Sequence, residues 1–281
     1  MKDVMVDSIP IGKDHPLVLI GGPCVMESED LVLEVAEKVK KIADLHNMPF
    51  ILKSSYLKDN RSSSKSFQGP GLEKGMRIMQ RVKDEIGIPV LSDVHDKYSI
   101  EIAAEVLDVI QIPAYLCMQT GLTVAAARTG KVINIKKGQF LDPHDVKNIT
   151  GKIEAEGNTN ILLTERGACF GYHNLVVDMR SFKIMREIGY PVVFDPTHSI
   201  RVYGISSSDP KGGAPQFVPA LARAGVAAGI DAIFIETHPD CSQALCDAAS
   251  MWPLKYLDKL LVQLKKVDEL VRGFKEIELK N

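Results

Sequence analysis

Residues 89–138 read PVLSDVHDKYSIEIAAEVLDVIQIPAYLCMQTGLTVAAARTGKVINIKKG. Three nearly continuous apolar runs stand out in this stretch: PVLSDV (89–94), DVIQIPA (108–114) and VINIKKG (132–138). Strands buried on both faces read this way, because neither side meets water. Similar runs recur as PLVLIGG (16–22), FILKSS (50–55), ILLTERG (161–167), PVVFDPT (191–197) and AIFIETH (232–238). Longer runs with helical spacing lie between them. SEDLVLEVAEKVKKIADLH (28–46) opens on Ser28, an N-cap residue type. GLEKGMRIMQRVKDEIG (71–87), DPHDVKNITGKIEAEG (142–157), residues 215–229 and an amphipathic tail over 253–274 follow the same pattern. Eight strands alternating with helices predict a parallel sheet. Eight such units in 281 residues predict an α/β chain folded as a (β/α)8 TIM barrel, with a doubly wound open sheet as the runner-up. No linker or shift in composition divides the chain, so residues 1–281 are expected to form a single domain. Residues 1–14 are read as an extension in which VMVDSIPIG (4–12) forms a short hairpin closing the barrel's N-terminal end.

Composition narrows the function. Lys and Arg number 34 against 36 Asp and Glu, a formal net charge of −2, which gives no support to binding nucleic acid or an anionic membrane. No apolar run approaches the ~20 residues that span a bilayer. Lys2, Asp3 and Asp7 stand where a secretory leader needs its apolar core. The five cysteines, at 24, 117, 169, 241 and 246, are an odd number and widely spread, which predicts a reducing, cytoplasmic setting. There is no phosphate-binding glycine loop of the nucleotide type and no Gly-x-Ser-x-Gly elbow.

In a barrel, the loops at the C-terminal ends of the strands build the site. Two such loops are long, YLKDNRSSSKSFQGPG (56–71) and YGISSSDPKGGAPQ (203–216). Polar residues gather at the same ends. Lys53, Ser55, Lys58, Asn60 and Arg61 follow strand two; Asp93 and His95 follow strand three; Gln111, then Asn134, Lys136 and Lys137, lie on the next two. Glu165-Arg166, Asp195 with His198, Glu236 with His238, and finally Asp247 complete the set. One lysine in an apolar strand is as well explained by a snorkelling side chain. Lys53, Lys58, Lys136 and Arg166 together favour one ligand with several negative charges. Cys24, His198, Glu236 and Asp247 form a mixed sulfur, nitrogen and oxygen donor set suited to zinc, iron, manganese or cobalt. Taken singly, Cys24 and His198 are equally well read as buried packing residues, and Cys117, Cys169, Cys241 and Cys246 are read as structural. His95 and His238 are read either as donors behind the site or as strand-end packing.

The sequence resembles the 3-deoxy-D-manno-octulosonate 8-phosphate synthases from about residue 16 to 275. The resemblance is carried by GGPCVMES (21–28), LKSSYLKDNRSSSKSFQGPG (52–71), DVIQIPAYLC (108–117), NIKKGQF (134–140), TERGACFGYHNLVVDMRS (164–181), FDPTHS (194–199) and FIETHPD (234–240). It implies a (β/α)8 barrel, a homotetramer, and condensation of phosphoenolpyruvate with arabinose 5-phosphate and water, with release of phosphate, for lipopolysaccharide synthesis. It implies that Ser55, Lys58, Gln111, Ala114 (through its backbone), Lys136 and Arg166 hold phosphoenolpyruvate, with Asp93 and Gln139 as further substrate contacts. Asn60, Arg61 and Ser62 would meet the aldose phosphate, with Lys53 near its aldehyde. Asp247 or His198 would relay the proton of the attacking water. Cys24 with His198, Glu236 and Asp247 matches the metal-dependent branch of that family. Three positions depart from its usual pattern. Met118 and Gln68 replace arginines and Gly121 an aspartate, all on the side of the acceptor sugar. The related heptulosonate 7-phosphate synthases, which take erythrose 4-phosphate, are the alternative. A metal-dependent barrel aldolase or lyase of another kind and a non-catalytic barrel that binds an anion remain as further readings.

Overall fold

The computed structural model describes residues 2–60, 65–172, 174–207, 209–275 and 277. It opens with an antiparallel hairpin, β1 (Val4–Val6) and β2 (Ile9–Ile11), turning at Asp7 with a φ of 51°. Eight parallel strands follow: β3 (Val18–Gly22), β4 (Phe50–Lys53), β5 (Val90–Asp93), β6 (Val109–Ile112), β7 (Val132–Lys136), β8 (Ile161–Glu165), β9 (Val192–Phe194) and β10 (Ala232–His238). Each pairs with the next, and β10 pairs with both β9 and β3, so the sheet closes on itself. A ninth short strand, β11 (Trp252–Pro253), adds to the top of β10. Helices α1 (Glu29–Leu45), α2 (Leu72–Ile86), α3 (Ile100–Val106), α4 (Thr120–Arg128), α5 (Lys147–Glu154), α6 (Arg180–Glu187), α7 (Pro196–Ser199), α8 (Val218–Ala227) and α9 (Leu257–Arg272) lie between or after the strands. This is the (β/α)8 TIM barrel that the alternation predicts. Among the described residues no helix is long and apolar enough to cross a membrane.

The strands have two buried faces because helices cover one and the barrel interior the other. Leu19, Leu52, Val90, Ile110, Ile133, Leu163, Val192 and Ile233 join the core shared with the helices. The alternate residues Val18, Ile20, Ile51, Leu91, Val109, Val132, Leu162, Val193, Ala232 and Phe234 fill the interior. Val4, Val6 and Ile11 of the hairpin belong to this inner cluster, so the hairpin plugs the N-terminal end of the barrel. Side chains on a strand alternate with period two. The next inward positions are therefore Lys53, Asp93, Gln111, Asn134, Thr164, Asp195 and Glu236, with Lys136 one step higher. One turn of the same pattern changes the barrel interior from hydrocarbon to charge.

Two element ends differ from the sequence reading. PVVFDPT is strand only to Phe194, because Pro196 has no N–H for the ladder and Asp195 instead caps α7. The tail helix starts at Leu257 rather than Pro253, since Trp252 and Pro253 pair with β10. Helix α1 starts as expected, with the Ser28 hydroxyl accepting the Leu31 N–H at 3.1 Å.

Candidate active site

The charged layer is held by short-range pairing. Lys53 is 1% exposed and its ammonium donates to Glu236 Oε1 at 2.5 Å and to the Cys24 carbonyl at 3.1 Å. That approach depends on Gly22, whose φ is 146° and where a Cβ would stand 2.2 Å from the Lys53 carbonyl oxygen. Lys136 donates to Asp195 Oδ2 and lies 3.5 Å from the centre of the Phe234 ring. Ser55 donates to Asp93 Oδ1, while His95 Nε2 is 3.2 Å from Asp93 Oδ2 and 2.8 Å from the Leu57 carbonyl. Along the neighbouring strands β6, β7 and β8, the Asn134 amide donates to Gln111 at 3.0 Å and accepts from Thr164 at 2.6 Å. Unpaired, such groups would cost several kcal/mol each by desolvation, so the network is what permits them inside.

These groups surround one cavity. It is lined by Lys53, Lys58, Asn60, Asp93, Gln111, Ala114, Lys136, Arg166, His198 and Glu236, among others. A second chamber shares Lys58, Asn60, Tyr115, Arg166 and His198 with it and adds Arg201, Tyr203 and Asp247. Among the described residues, neither Lys58 nor Arg166 lies within ion-pair distance of a carboxylate, and both stand in the wall common to the two chambers. The Arg166 guanidinium donates to the Tyr203 hydroxyl at 3.1 Å. Burial opposes charge on Lys58, but Cys24, Glu236 and Asp93 nearby raise it well above the ordinary lysine range. Lys136 goes the other way: burial, only partly offset by Asp195, brings it down to about 8. Burial would raise Asp93, yet Lys58 and His95 hold it well below the carboxylate range.

Asp195 positions the second half of the site. As the cap of α7 it accepts the His198 backbone N–H at 2.9 Å and the Thr197 hydroxyl at 2.8 Å. Its Oδ2 also lies 2.7 Å from His198 Nδ1. A carboxylate of this kind can only accept, so Nδ1 carries the hydrogen and the Nε2 lone pair is free. Nε2 points to Glu236 Oε2 at 3.7 Å and Asp247 Oδ2 at 3.8 Å. Asp247 Oδ2 in turn accepts from the Cys24 thiol at 3.3 Å. Burial disfavours charge on Glu236, but the Lys53 ammonium beside it outweighs this and brings the carboxyl down to about 2. Burial likewise opposes Asp247, and the guanidinium of Arg201, which donates to its Oδ1, holds it well below the carboxylate range. Three acceptors facing one another, with a thiol beside them, repel unless a cation or proton lies between. A carboxylate behind the histidine is the usual support for a metal ligand. The residues present fit a divalent metal, and the donor atoms of His198, Glu236 and Asp247 lie within 4.8 Å of one another.

Most residues singled out in the sequence thus meet at the cavity. Ser55 reaches it only through Asp93. Gln139 is buried and is not among the cavity lining. Arg61 and Ser62 lie outside the described residues. Gln68 and Met118 are on the surface, where the Met118 carbonyl accepts from Lys152 at 3.1 Å. Sequence reading passed over Arg201, which stands three residues after His198 with no periodic signal of its own. It also treated Cys246 as structural, whereas the structure groups it with Cys24 and Asp247. His238 stays apart, its Nε2 3.6 Å from Glu27.

A model of the DAHP synthetase I family matches residues 3–273. Curated relatives agree over nearly the full chain. A protein of Trichlorobacter lovleyi named 2-dehydro-3-deoxyphosphooctonate aldolase is 55% identical over 271 residues, covering 96% of this chain and 99% of its own. Proteins of the same name from Geotalea uraniireducens (53% over 272 residues, 97% and 100% covered) and Geobacter sulfurreducens (51% over 271, 96% and 99%) are similar.

Asp195 makes a direct test of the network. Asp195→Asn leaves the Lys136 ammonium buried without its carboxylate, and such a loss is on the order of 3–5 kcal/mol. The expected result is a lower urea midpoint with an unchanged slope; an unchanged midpoint would mean that the pair contributes little.

Proposed function

The chain belongs to the DAHP synthetase I family, and within it we propose that the chain condenses phosphoenolpyruvate with arabinose 5-phosphate and water. The products are 3-deoxy-D-manno-octulosonate 8-phosphate and inorganic phosphate. The observation that carries this reading is the pair of adjoining chambers sharing Lys58 and Arg166, two cations without a carboxylate partner among the described residues. The relatives' printed name agrees with it.

In this reading Lys58, Arg166 and Lys136 neutralise the carboxylate and phosphate of phosphoenolpyruvate, while Gln111 and the Ala114 backbone orient it. Lys53 and Asn60 face the aldehyde. Carbon three of phosphoenolpyruvate bonds to the aldehyde carbon, and the carbonyl oxygen takes up a proton. Water adds at carbon two, and phosphate leaves by cleavage of the C–O bond. Asp247, kept ionised by Arg201, is a weak base but a strong acceptor that orients the water. A zinc, iron, manganese or cobalt ion held by Cys24, His198, Glu236 and Asp247 would supply positive charge to polarise the aldehyde or the water. The replacements at Gln68, Met118 and Gly121, positions that the family resemblance assigns to the acceptor sugar, keep the heptulosonate 7-phosphate synthase reaction as the second reading. We take the working form to be a cytoplasmic homotetramer, supported by the exposed Tyr98, Ile102, Tyr115 and Met118 around α3 and the start of α4.

Phosphate release from phosphoenolpyruvate is expected with arabinose 5-phosphate, and to be lost in EDTA and in Cys24→Ala. Release only with erythrose 4-phosphate would select the second reading, and full activity of Cys24→Ala in EDTA would remove the metal. Lys136 is a cation below its pKa, so kcat/KM is expected to fall as pH rises through about 8. A flat profile between the usual lysine range and neutrality would exclude Lys136 from anion binding. Sizing chromatography is expected to give about four times the 30.9 kDa chain mass, and elution as a monomer would rule out the tetramer.

A further inference from the structure

The strongest unassigned feature is a second thiol at the metal-type cluster. Cys246 is 3% exposed and Cys24 is 1% exposed. The two sulfur atoms lie within 4.8 Å of each other, and the Cys24 thiol donates to Asp247 Oδ2 at 3.3 Å. The donor atoms of Cys24, Cys246 and Asp247 all lie within 4.8 Å of one another, and Asp247 also belongs to the group formed with His198 and Glu236. The two groups thus share one carboxylate.

The backbone shows how neighbours in sequence come to one point. Side chains of consecutive residues in extended chain diverge to opposite sides. Cys246 and Asp247 instead both face Cys24, and Asp247 has a φ of 48°, in the left-handed region. Only three non-glycine described residues have a positive φ, and Asp7 and Asn47 are the other two, one in a hairpin turn and one after a helix. A left-handed residue costs roughly 1–2 kcal/mol, and such strain persists where the surrounding structure holds it and often marks function. Asp247 opens a turn, its carbonyl accepting the N–H groups of Ser250 at 2.9 Å and Met251 at 3.2 Å. Val25 and Met251 are buried in one apolar cluster with the two thiols. A buried thiol on its own is most simply a small apolar side chain. Two thiols meeting a carboxylate that is 3.3 Å from one of them are a donor set.

We propose that Cys246 is a further ligand, so that the metal of this chain is held by two thiolates as well as by His198, Glu236 and Asp247. This rests on the metal reading given above and adds a selectivity to it. Thiolate favours zinc, iron and cobalt, whereas manganese and magnesium favour oxygen donors. The second sulfur biases the site toward the softer ions.

Cobalt(II) added to the full-length, metal-stripped protein provides a readout that does not depend on turnover. A sulfur-to-cobalt absorption band in the near ultraviolet is expected, and it should fall to about half in Cys246→Ser and in Cys24→Ser and vanish in the double variant. Zinc affinity, measured against a chelating dye, should weaken in Cys246→Ser by at least the roughly tenfold to hundredfold that loss of an outer contact costs. Manganese affinity should change much less. Cys246→Ala serves as a second variant, and far-ultraviolet circular dichroism checks that each is folded. A band and zinc affinity unchanged in both folded Cys246 variants, but lost in Cys24→Ser, would overturn this proposal and leave the metal reading standing. No band in the unaltered protein would overturn both.

Discussion

The placement of charge inside the barrel depends on the Asp195 carboxylate. It caps α7, holds the Lys136 ammonium, and fixes His198 with Nδ1 protonated and Nε2 turned inward. One side chain thereby joins the anion-binding half of the cavity to the metal-type half. Remove its charge and Lys136 is a buried cation without a partner, while His198 is free to turn. The Lys53–Glu236 pair does the same work between β4 and β10, linking a proposed substrate contact to a proposed ligand.

The network also separates the cations into two kinds. Lys53 and Lys136 are each paired with a carboxylate of the barrel, Glu236 and Asp195. Lys58 and Arg166 face both chambers with no carboxylate within ion-pair distance among the described residues. An anion entering the cavity meets these two directly. The direction of the shifts follows from this division. Lys136, boxed in by hydrocarbon and by the face of Phe234, loses its proton more readily, whereas Lys58, with Cys24, Glu236 and Asp93 about it, holds its proton more firmly.

The bottom of the barrel serves the top. The hairpin residues Val4, Val6 and Ile11 extend the inner hydrocarbon layer. That layer excludes water beneath the charged one, where a lower dielectric strengthens each ion pair. The change from one layer to the other takes a single two-residue step along each strand. The same strands that supply the core therefore supply the site.

Much of this was legible in the chain. Eight apolar runs with helical stretches between them marked a parallel sheet buried on both faces, and the pairing of β10 with both β9 and β3 decided its closure into a barrel rather than an open sheet. Lysines, carboxylates and a histidine near the ends of those runs marked the polar layer, since period two sends each to the interior two residues past an apolar one. The order of the pairs was not legible. Lys53 and Glu236, 183 residues apart, meet because closure sets β10 beside β3 and so one strand from β4, and Lys136 and Asp195, 59 residues apart, meet from the next-but-one strands β7 and β9. Nor was Arg201 or Cys246. Arg201 sits in irregular chain where no period exists to be read. Cys246 reads in sequence as a small apolar residue, because its approach to Cys24 and Asp247 is made by tertiary packing that the residue type does not encode.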